Sequence, residues 1–252
     1  MNYVLRCFNN IFVINYKGWQ VFFSRAKIAK TFEKFTRSER ERLIKVKISA
    51  LTETLPNLKI LLDEPLMNYT FTKTGGPVDA LAFPKDNEEV KAIVDYCRLN
   101  NLPWIVLGNA SNLIVKDGGI RGVVIMLSDM TTIRVEDHTI IAQAGAKLTD
   151  TTYVALDHAL TGFEFACGIP GSIGGAVFMN AGAYDGQLED VFESVDVLLA
   201  DGTFETWDKD QMNFSYRHSA IQEQPAIVLS ARFTLTSGEP EQIKKRMTEL
   251  TE

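Results

Sequence analysis

A run of fifteen residues, 168–182, constrains the fold of this chain more than any other feature. The run reads GIPGSIGGAVFMNAG, with five glycines, one proline and no charged side chain. Because glycine weakens helices and strands and proline interrupts both, we expect neither an ordinary helix nor an ordinary strand here. The run is also too apolar for a solvated linker. Its bare backbone N–H groups allow a ligand to approach closely, and pyrophosphate is commonly held by such converging N–H groups.

Length and charge limit the classes of protein to consider. The chain has 252 residues, 46% hydrophobic and 23% charged, which is typical of a globular protein with one large domain or two smaller ones. Its net charge of −6 argues against a general nucleic-acid-binding protein. Residues 11–23 come nearest to a membrane span. Polar residues interrupt them and no clean signal-cleavage site follows, so we expect neither a membrane span nor a secretory signal.

The charge is unevenly distributed along the chain. Residues 1–48 hold 11 Lys/Arg and 3 Asp/Glu, whereas residues 49–252 hold 15 and 29. Three interpretations of the basic segment remain open: a membrane-surface helix, a disordered arm, or sequence read from upstream of the true start. We favour the last two, because no sustained apolar stripe is present. Residues 1–48 are therefore expected to be a poorly ordered extension.

The cysteines and histidines indicate neither a disulfide framework nor a metal site. Cys7, Cys97 and Cys167 are widely spaced, odd in number and free of any C-x-x-C pair. We interpret them as buried thiols of a protein in a reducing, cytoplasmic compartment. The three histidines show no metal-ligand spacing, so we expect no metal.

Regular elements are predicted from about residue 51 onward. Asp86 and Glu89 form a capping-box pattern ahead of a helix, and Asp201-Gly202 indicates a hairpin. Other helices are expected at 148–160 and from Pro240 to the last residue. Because strands outnumber helices and occur as hairpins and pairs, the sequence predicts an α+β fold rather than a doubly wound parallel sheet. The predicted strands are 104–107, 113–115, 122–127, 139–144, 191–199, 204–207 and 227–235.

A second small-residue turn lies between two predicted strands, at residues 108–112. Ser111 and Asn112 can hydrogen-bond a phosphate or the backbone, and Gly108 permits positive φ, although a plain β-turn is an equally good interpretation. The run 168–182 likewise has an alternative interpretation, as a close-packed crossing of two backbones. We exclude a Rossmann loop, because the glycine spacing does not match G-x-G-x-x-G and no suitably placed acidic residue follows.

Taken together, the two segments resemble the phosphate-contacting loops of flavoproteins related to vanillyl-alcohol oxidase. They resemble more closely those of the bacterial UDP-N-acetylenolpyruvoylglucosamine reductases. The resemblance covers about residues 51–252, because further markers of that family occur in the family's order. These markers are YTFTKTGG at 69–76, AGA at 144–146, GFEFA at 162–166 and YRHS at 216–219.

The resemblance implies an α+β, two-subdomain FAD-binding fold of the PCMH type. Its subdomains would cover 51–127 and 128–236 with FAD between them, and 237–252 would start a C-terminal substrate domain. It implies non-covalent FAD, NADPH as hydride donor and a UDP-sugar substrate, reduced to UDP-N-acetylmuramate in peptidoglycan precursor synthesis. A related FAD-dependent oxidase is an alternative function.

The resemblance also implies roles for individual residues. Arg217 would be the catalytic residue that carries positive charge to the developing enolate, and Tyr216 would contact the substrate. A surface salt bridge for Arg217 and a core position for Tyr216 are the alternatives. The implied cofactor-binding residues are Gly108, Asn109, Ala110, Ser111, Asn112, Gly145, Gly168, Pro170, Gly171, Ser172, Ile173, Gly174, Gly175, Ala176, Asn180, Ala181 and Gly182.

The chain departs from the family pattern in two places. Ala110 replaces the usual third-position glycine of its loop, with little expected effect if its φ stays negative. The family's Gly-Ser-x-Phe-Lys motif, with its proton-donating serine, and a later glutamate do not occur in these 252 residues. We therefore expect the C-terminal substrate domain to be largely missing. The chain would then bind FAD and accept hydride poorly without completing turnover, as a flavin-binding remnant.

Overall fold

The computed structural model describes residues 6–8, 11–13 and 37–252. Two compact units make up the chain. The first comprises Met1–Asp129 with Ala200–Gly202, and the second comprises Met130–Leu199 with Thr203–Glu252. The expected disorder of the basic extension falls largely on residues outside the described ranges. Among the described residues, no helix has both the length and the apolar character needed to cross a membrane.

The first unit is built on a four-stranded sheet with the order β3-β4-β7-β5. Strand β3 runs antiparallel to β4, whereas β4, β7 and β5 run parallel. A small antiparallel sheet has the order β1-β2-β6. The elements of this unit are β1 (Arg6–Phe8), β2 (Ile11–Val13), α1 (Arg37–Thr54), β3 (Lys59–Pro65), β4 (Pro77–Phe83), α2 (Asn87–Asn100), β5 (Trp104–Leu107), β6 (Ile114–Val115) and β7 (Ile120–Met126).

Helix α2 begins and ends as local sequence rules require. The Asp86 carboxylate accepts a hydrogen bond from the Glu89 N–H at 2.8 Å, which confirms the predicted cap. The Glu89 carboxylate accepts from the Lys85 N–H instead of closing the box on Asp86. Cys97 is fully buried on the inner face, and burial raises the pKa of its thiol to about 12. This thiol is therefore a core side chain, as expected.

Helix α1 corrects the expectation of disorder for the last part of the basic segment. Ile44, Ile48 and Leu51 recur at helical spacing and are all buried. The Tyr96 hydroxyl of α2 donates to the Lys47 carbonyl at 2.7 Å. The first turns of this helix are rich in charged residues, so the composition of the segment alone does not indicate the apolar stripe that follows.

The second unit is built on a five-stranded antiparallel sheet with the order β14-β13-β15-β9-β8. Two short antiparallel pairs, β10 with β16 and β11 with β12, lie outside that sheet. The elements of this unit are β8 (Ile133–Glu136), β9 (Thr139–Gln143), α3 (Leu148–Asp157), β10 (Leu160–Thr161), α4 (Ile173–Met179), β11 (Gly182–Ala183), β12 (Gly186–Gln187), β13 (Phe192–Leu199), β14 (Phe204–Asp208), α5 (Lys209–Met212), β15 (Ala226–Thr234), β16 (Thr236–Ser237) and α6 (Pro240–Thr251).

Helix α4 lies inside the glycine-rich run, where the sequence predicts no regular element. Ser172 caps it, because the serine Oγ accepts from the Gly175 N–H at 3.3 Å. Ile173, Ala176 and Val177 are buried. Their packing compensates for the low helix propensity of the two glycines. The expectation of an irregular segment is therefore wrong for these seven residues.

Helix α6 packs within the second unit, and the prediction that its residues start a C-terminal substrate domain stays a prediction. Ile243, Met247 and Leu250 are buried in one cluster with Cys167, and Leu156 of α3 packs against it. The Cys167 thiol lies 3.6 Å from the Met247 carbonyl. Burial raises the pKa of this thiol, in agreement with a buried structural role.

Candidate functional site

The first predicted phosphate loop, residues 108–112, connects β5 to β6 as expected. Ala110 in this loop has φ +46°, so the condition under which alanine would have little effect, a negative φ, is not met. A side chain in this left-handed region is strained, whereas glycine adopts the region freely. The alanine that departs from the family pattern therefore carries a cost in backbone strain.

The loop that precedes β4 supports this first phosphate loop. The Phe71 N–H donates to the Ala110 carbonyl at 3.3 Å. Thr70 is buried, and its hydroxyl both donates to the Thr74 carbonyl at 2.7 Å and accepts from the Thr74 N–H at 3.1 Å. The marker at 69–76 therefore forms a loop that is held by its own hydrogen bonds and by one hydrogen bond to the loop at 108–112.

The glycine pair at the end of this marker is explained by packing alone. A Cβ on Gly76 would lie 1.8 Å from the Asp117 carbonyl oxygen, and Gly75 has φ +130° and a Cβ position only 3.0 Å from the Val115 Cβ. Two backbones cross closely at this point. These glycines therefore have a structural reason and need no ligand to explain them.

Backbone N–H groups of the first loop are available for an anion. Within the described residues, the N–H groups of Asn109, Ala110 and Asn112 have no hydrogen-bond acceptor. Ala110 is buried, and a buried N–H group is normally satisfied, whereas Asn109 and Asn112 are exposed. An anionic group at this loop would supply the missing acceptors.

In the second loop most of the expected N–H groups are already paired inside the second unit. Gly171 and Ser172 are the exceptions: their N–H groups have no acceptor among the described residues. Of the N–H groups expected at 171–176 to contact an anion, only these two therefore remain as candidate donors. The paired donors are Ile173 to the Ala146 carbonyl at 2.9 Å, Gly174 to the Ala144 carbonyl at 2.9 Å, Gly175 to Ser172 Oγ at 3.3 Å and Ala176 to the Ser172 carbonyl at 2.8 Å.

The glycines of this run fall into two groups. A Cβ on Gly174 would lie 3.0 Å from the Ala144 Cβ, and one on Gly182 would lie 2.6 Å from the Gly186 carbonyl oxygen, so packing disfavours a side chain at the first position and excludes one at the second. A Cβ on Gly175 would meet nothing nearer than Ser172 Oγ at 3.5 Å, and one on Gly168 nothing nearer than 3.9 Å. Packing does not require glycine at these two positions, so they leave open space that a ligand could approach.

The GFEFA motif that precedes the run has a structural explanation. The Glu164 carboxylate accepts from the Thr161 hydroxyl at 2.6 Å and from the Gly162 N–H at 2.8 Å. The Phe165 side chain covers Gly186, where an added Cβ would lie 2.7 Å from it. The motif therefore stabilises the segment of chain that leads into the glycine-rich run.

Arg217 and Tyr216 occupy the centre of a tight turn between Ser215 and His218. Tyr216 is 76% exposed, so the alternative of a core aromatic is wrong. An Nη of Arg217 donates to the Gly182 carbonyl at 2.7 Å, and its Cζ lies 5.7 Å from the Tyr216 ring centroid. No carboxylate among the described residues forms an ion pair with Arg217, which counts against a surface salt bridge.

Asn180 has a structural role that the sequence did not indicate. Its φ of +41° ends helix α4, and its side chain is 2% exposed. The side-chain Nδ2 donates to the Ser215 carbonyl at 3.1 Å and to Gln187 Oε1 at 3.2 Å, while Oδ1 accepts from the Glu189 N–H at 2.9 Å. Asn180 therefore joins the helix end to the Arg217 turn.

The remaining predicted residues lie in loops, as expected. Two of them have a backbone N–H group that already donates to a carbonyl of the chain. Gly145 donates to the Met130 carbonyl and Ala181 donates to the Ala176 carbonyl, each at 2.9 Å. The sequence also missed Gln222, a buried amide five residues after Arg217. No motif marks it, although its proximity to Arg217 in sequence is a weak signal.

Comparisons with known proteins identify the family and the fold. A family model described as an FAD binding domain matches residues 78–208, just over half of the chain. The UDP-N-acetylenolpyruvoylglucosamine reductase of Enterococcus faecalis is 63% identical over 203 residues, which are 81% of this chain and 68% of that protein. The chain thus spans about two thirds of the length of this curated relative.

Solved structures show the same fold. The crystal structure of the UDP-N-acetylenolpyruvylglucosamine reductase from Thermus caldophilus matches with a TM-score of 0.64 and 34% identity, over 77% of this chain and 67% of that chain. A glucooligosaccharide oxidase from Acremonium strictum matches with a TM-score of 0.56 at 18% identity, over 76% of this chain and 43% of that chain, and so shares the fold alone. These matches confirm the α+β, FAD-binding PCMH-type fold. The chain belongs to the UDP-N-acetylenolpyruvoylglucosamine reductase family.

Proposed function

We propose that this chain takes part in the NADPH-dependent, FAD-mediated reduction of UDP-N-acetylglucosamine enolpyruvate to UDP-N-acetylmuramate, a step of peptidoglycan precursor synthesis. The observation that carries the proposal is the turn at Tyr216 and Arg217, whose guanidinium is anchored on Gly182 at the end of the glycine-rich run. The high identity to reductases of this family supports it.

FAD fits the residues present, on structural grounds. The N–H groups of Asn109, Ala110 and Asn112 suit an anionic phosphate group, because they have no acceptor among the described residues. The N–H groups of Gly171 and Ser172 suit one for the same reason. The open side of Gly175 suits close approach of a large planar or anionic group. FAD, when bound, would supply hydride transfer from NADPH to the enolpyruvyl double bond.

Arg217 is proposed as the catalytic residue. Its guanidinium is permanently charged, and one Nη is occupied by the Gly182 carbonyl, which fixes the direction of the remaining N–H groups. A positive charge held in place stabilises negative charge that develops on the enolpyruvyl group, at no cost of reorganisation. The exposed Tyr216 ring beside it is proposed to contact the substrate.

The two half-reactions test this proposal separately. The visible spectrum of the purified chain should show bound flavin, and NADPH should bleach it without oxygen. The nucleotide-sugar should restore the spectrum if this chain completes the reaction, and should leave it bleached if the chain is the flavin-binding remnant that the absent serine motif predicts. Arg217→Ala should slow that restoration by roughly 10²–10³-fold. Arg246→Ala, which removes an exposed arginine of α6 paired only with Glu249 among the described residues, is the control and should leave it unchanged.

Each contrary result has a definite meaning. A reduced flavin that ignores the nucleotide-sugar and reacts rapidly with oxygen would favour an FAD-dependent oxidase. A flavin that binds and is reduced by NADPH but never returns its electrons to the sugar would identify the chain as a cofactor-binding remnant. An Arg217→Ala chain as fast as the parent would remove Arg217 from the mechanism.

A further inference from the structure

The turn that carries Arg217 has an unfavourable backbone conformation. Ser215 and His218 close it, with reciprocal N–H to carbonyl hydrogen bonds of 3.2 and 3.1 Å. Arg217 is the second of its two central residues and has φ +56°. That position favours glycine or asparagine, because a Cβ is crowded there. An arginine keeps such a conformation when surrounding contacts hold it.

Two buried carboxamides hold the carbonyl groups of this turn. Asn180 Nδ2 donates to the Ser215 carbonyl at 3.1 Å, and Gln222 Nε2 donates to the Arg217 carbonyl at 3.1 Å. Asn180 is 2% exposed and Gln222 is 4% exposed. Water cannot readily replace a hydrogen bond lost at such a depth, so each contact opposes relaxation of the turn.

Gln222 also ties the turn to helix α4. Its Nε2 donates to the Phe178 carbonyl at 2.8 Å, and the Ser219 hydroxyl donates to the same oxygen at 2.9 Å. A further contact of Nε2 is with Met179 Sδ at 3.9 Å. All three partners of this nitrogen are acceptors, so the position requires a donor and not merely a side chain of the right length.

We propose that Gln222 is a positioning residue for Arg217. Its carboxamide holds the Arg217 backbone in the left-handed turn, while the Gly182 carbonyl holds the guanidinium. The charge then stays in one orientation toward an anionic substrate group before the substrate arrives. The inference rests on the role proposed above for Arg217.

Two variants separate donor chemistry from shape. Gln222→Met keeps the length of the side chain but has no donor, and Gln222→Glu keeps the shape but turns a donor into an acceptor that faces carbonyl oxygens. The control is Thr152→Val in α3, which removes the buried hydroxyl that donates to the Thr149 carbonyl at 2.7 Å. The control lowers stability without touching the turn.

The first measurement is the ¹⁵N resonances of Arg217, backbone and Nε, in the chain without ligand. We expect both Gln222 variants to shift them, Gln222→Glu by more, and Thr152→Val to leave them in place. Arg217 resonances that stay unchanged in Gln222→Met and Gln222→Glu would overturn the inference, whatever the function of the protein.

The second measurement is a double-mutant cycle on affinity for the enolpyruvyl nucleotide-sugar in the FAD-loaded chain. Gln222→Met should weaken binding about tenfold when Arg217 is present and should have no effect in an Arg217→Ala background. Independent losses in the two backgrounds would show a general structural role and overturn the inference. A parent chain without affinity for this ligand would contradict the proposed function, and the Arg217 resonances would then decide the inference alone.

Discussion

Helix α4 contains two adjacent glycines that lack a side chain for different reasons. A Cβ on Gly174 would lie 3.0 Å from the Ala144 Cβ and 3.3 Å from its carbonyl oxygen. A Cβ on Gly175 would meet only Ser172 Oγ, at 3.5 Å, which is ordinary van der Waals contact. Neither glycine has positive φ. Alanine at the two positions should therefore have opposite effects on the stability of the fold.

The magnitudes follow from two competing terms. Replacing glycine by alanine in a helix gains about 0.5–1 kcal/mol, because the unfolded chain loses freedom. Gly175→Ala keeps that gain, so its free energy of unfolding should be unchanged or raised by up to about 1 kcal/mol. Gly174→Ala forces the helix away from Ala144, at a cost of about 1–3 kcal/mol. Its net effect should be a loss of about 1 kcal/mol.

Urea unfolding of the ligand-free chain measures the free energy of unfolding of each variant. Titration with FAD, followed by the quenching of FAD fluorescence, measures the affinity of each variant for the cofactor. If a ligand approaches the open side of Gly175, the methyl group of Gly175→Ala should lower FAD affinity at least tenfold in a chain that is folded as well as the parent. The reasoning is refuted if Gly175→Ala binds FAD as tightly as the parent, or if it unfolds as easily as Gly174→Ala.

Three further predictions concern stability. Ala110→Gly should raise the free energy of unfolding by up to about 1 kcal/mol, because relief of left-handed strain exceeds the added chain entropy; lower stability in urea would show that the buried methyl group matters more. Burial raises the pKa of Asp196, but hydrogen bonds from Arg232 and two neighbouring hydroxyls outweigh burial and hold that pKa below its usual value. The carboxylate therefore stabilises the fold above the pKa of the unfolded chain and loses this effect as pH falls through the folded pKa. Asp196→Asn should cost about 1 kcal/mol near neutral pH and less in acid, and an equal cost at both pH values in urea unfolding would contradict this. Tyr96→Phe removes the donor to the Lys47 carbonyl and should cost about 1 kcal/mol, with faster amide hydrogen exchange in α1; unchanged exchange there would show that apolar packing alone holds the helix.

Elements governed by neighbouring residues were predicted well. Strand β5 has the predicted bounds, and the hairpin of β13 and β14 turns at Asp201-Gly202 as the turn rule indicates. The Asp86 cap and the first-turn proline of α6 were also correct. In each case the deciding interaction lies within a few residues along the chain, so the sequence contains it directly.

Elements decided by distant contacts were not predicted. Strands β3 and β4 were missed, and so was the parallel pairing of β4, β7 and β5. Helix α4 forms despite two glycines, because its first N–H groups pair with the carbonyls of Ala144 and Ala146 and its apolar face is buried. Propensity within the run carries no information about those partners.

The sequence by itself determined the family, the two small-residue loops predicted to contact phosphate and the pairing of Tyr216 with Arg217, because each is a pattern of residue types at fixed spacing. Tertiary structure decided which of these residues are available to a ligand. It showed that the N–H groups of Ile173 to Ala176 are already paired, that Gly175 has open space, and that Gln222 holds the Arg217 turn. Whether an N–H group is free and whether a glycine is crowded depend on residues far away in the chain, so no local pattern records them.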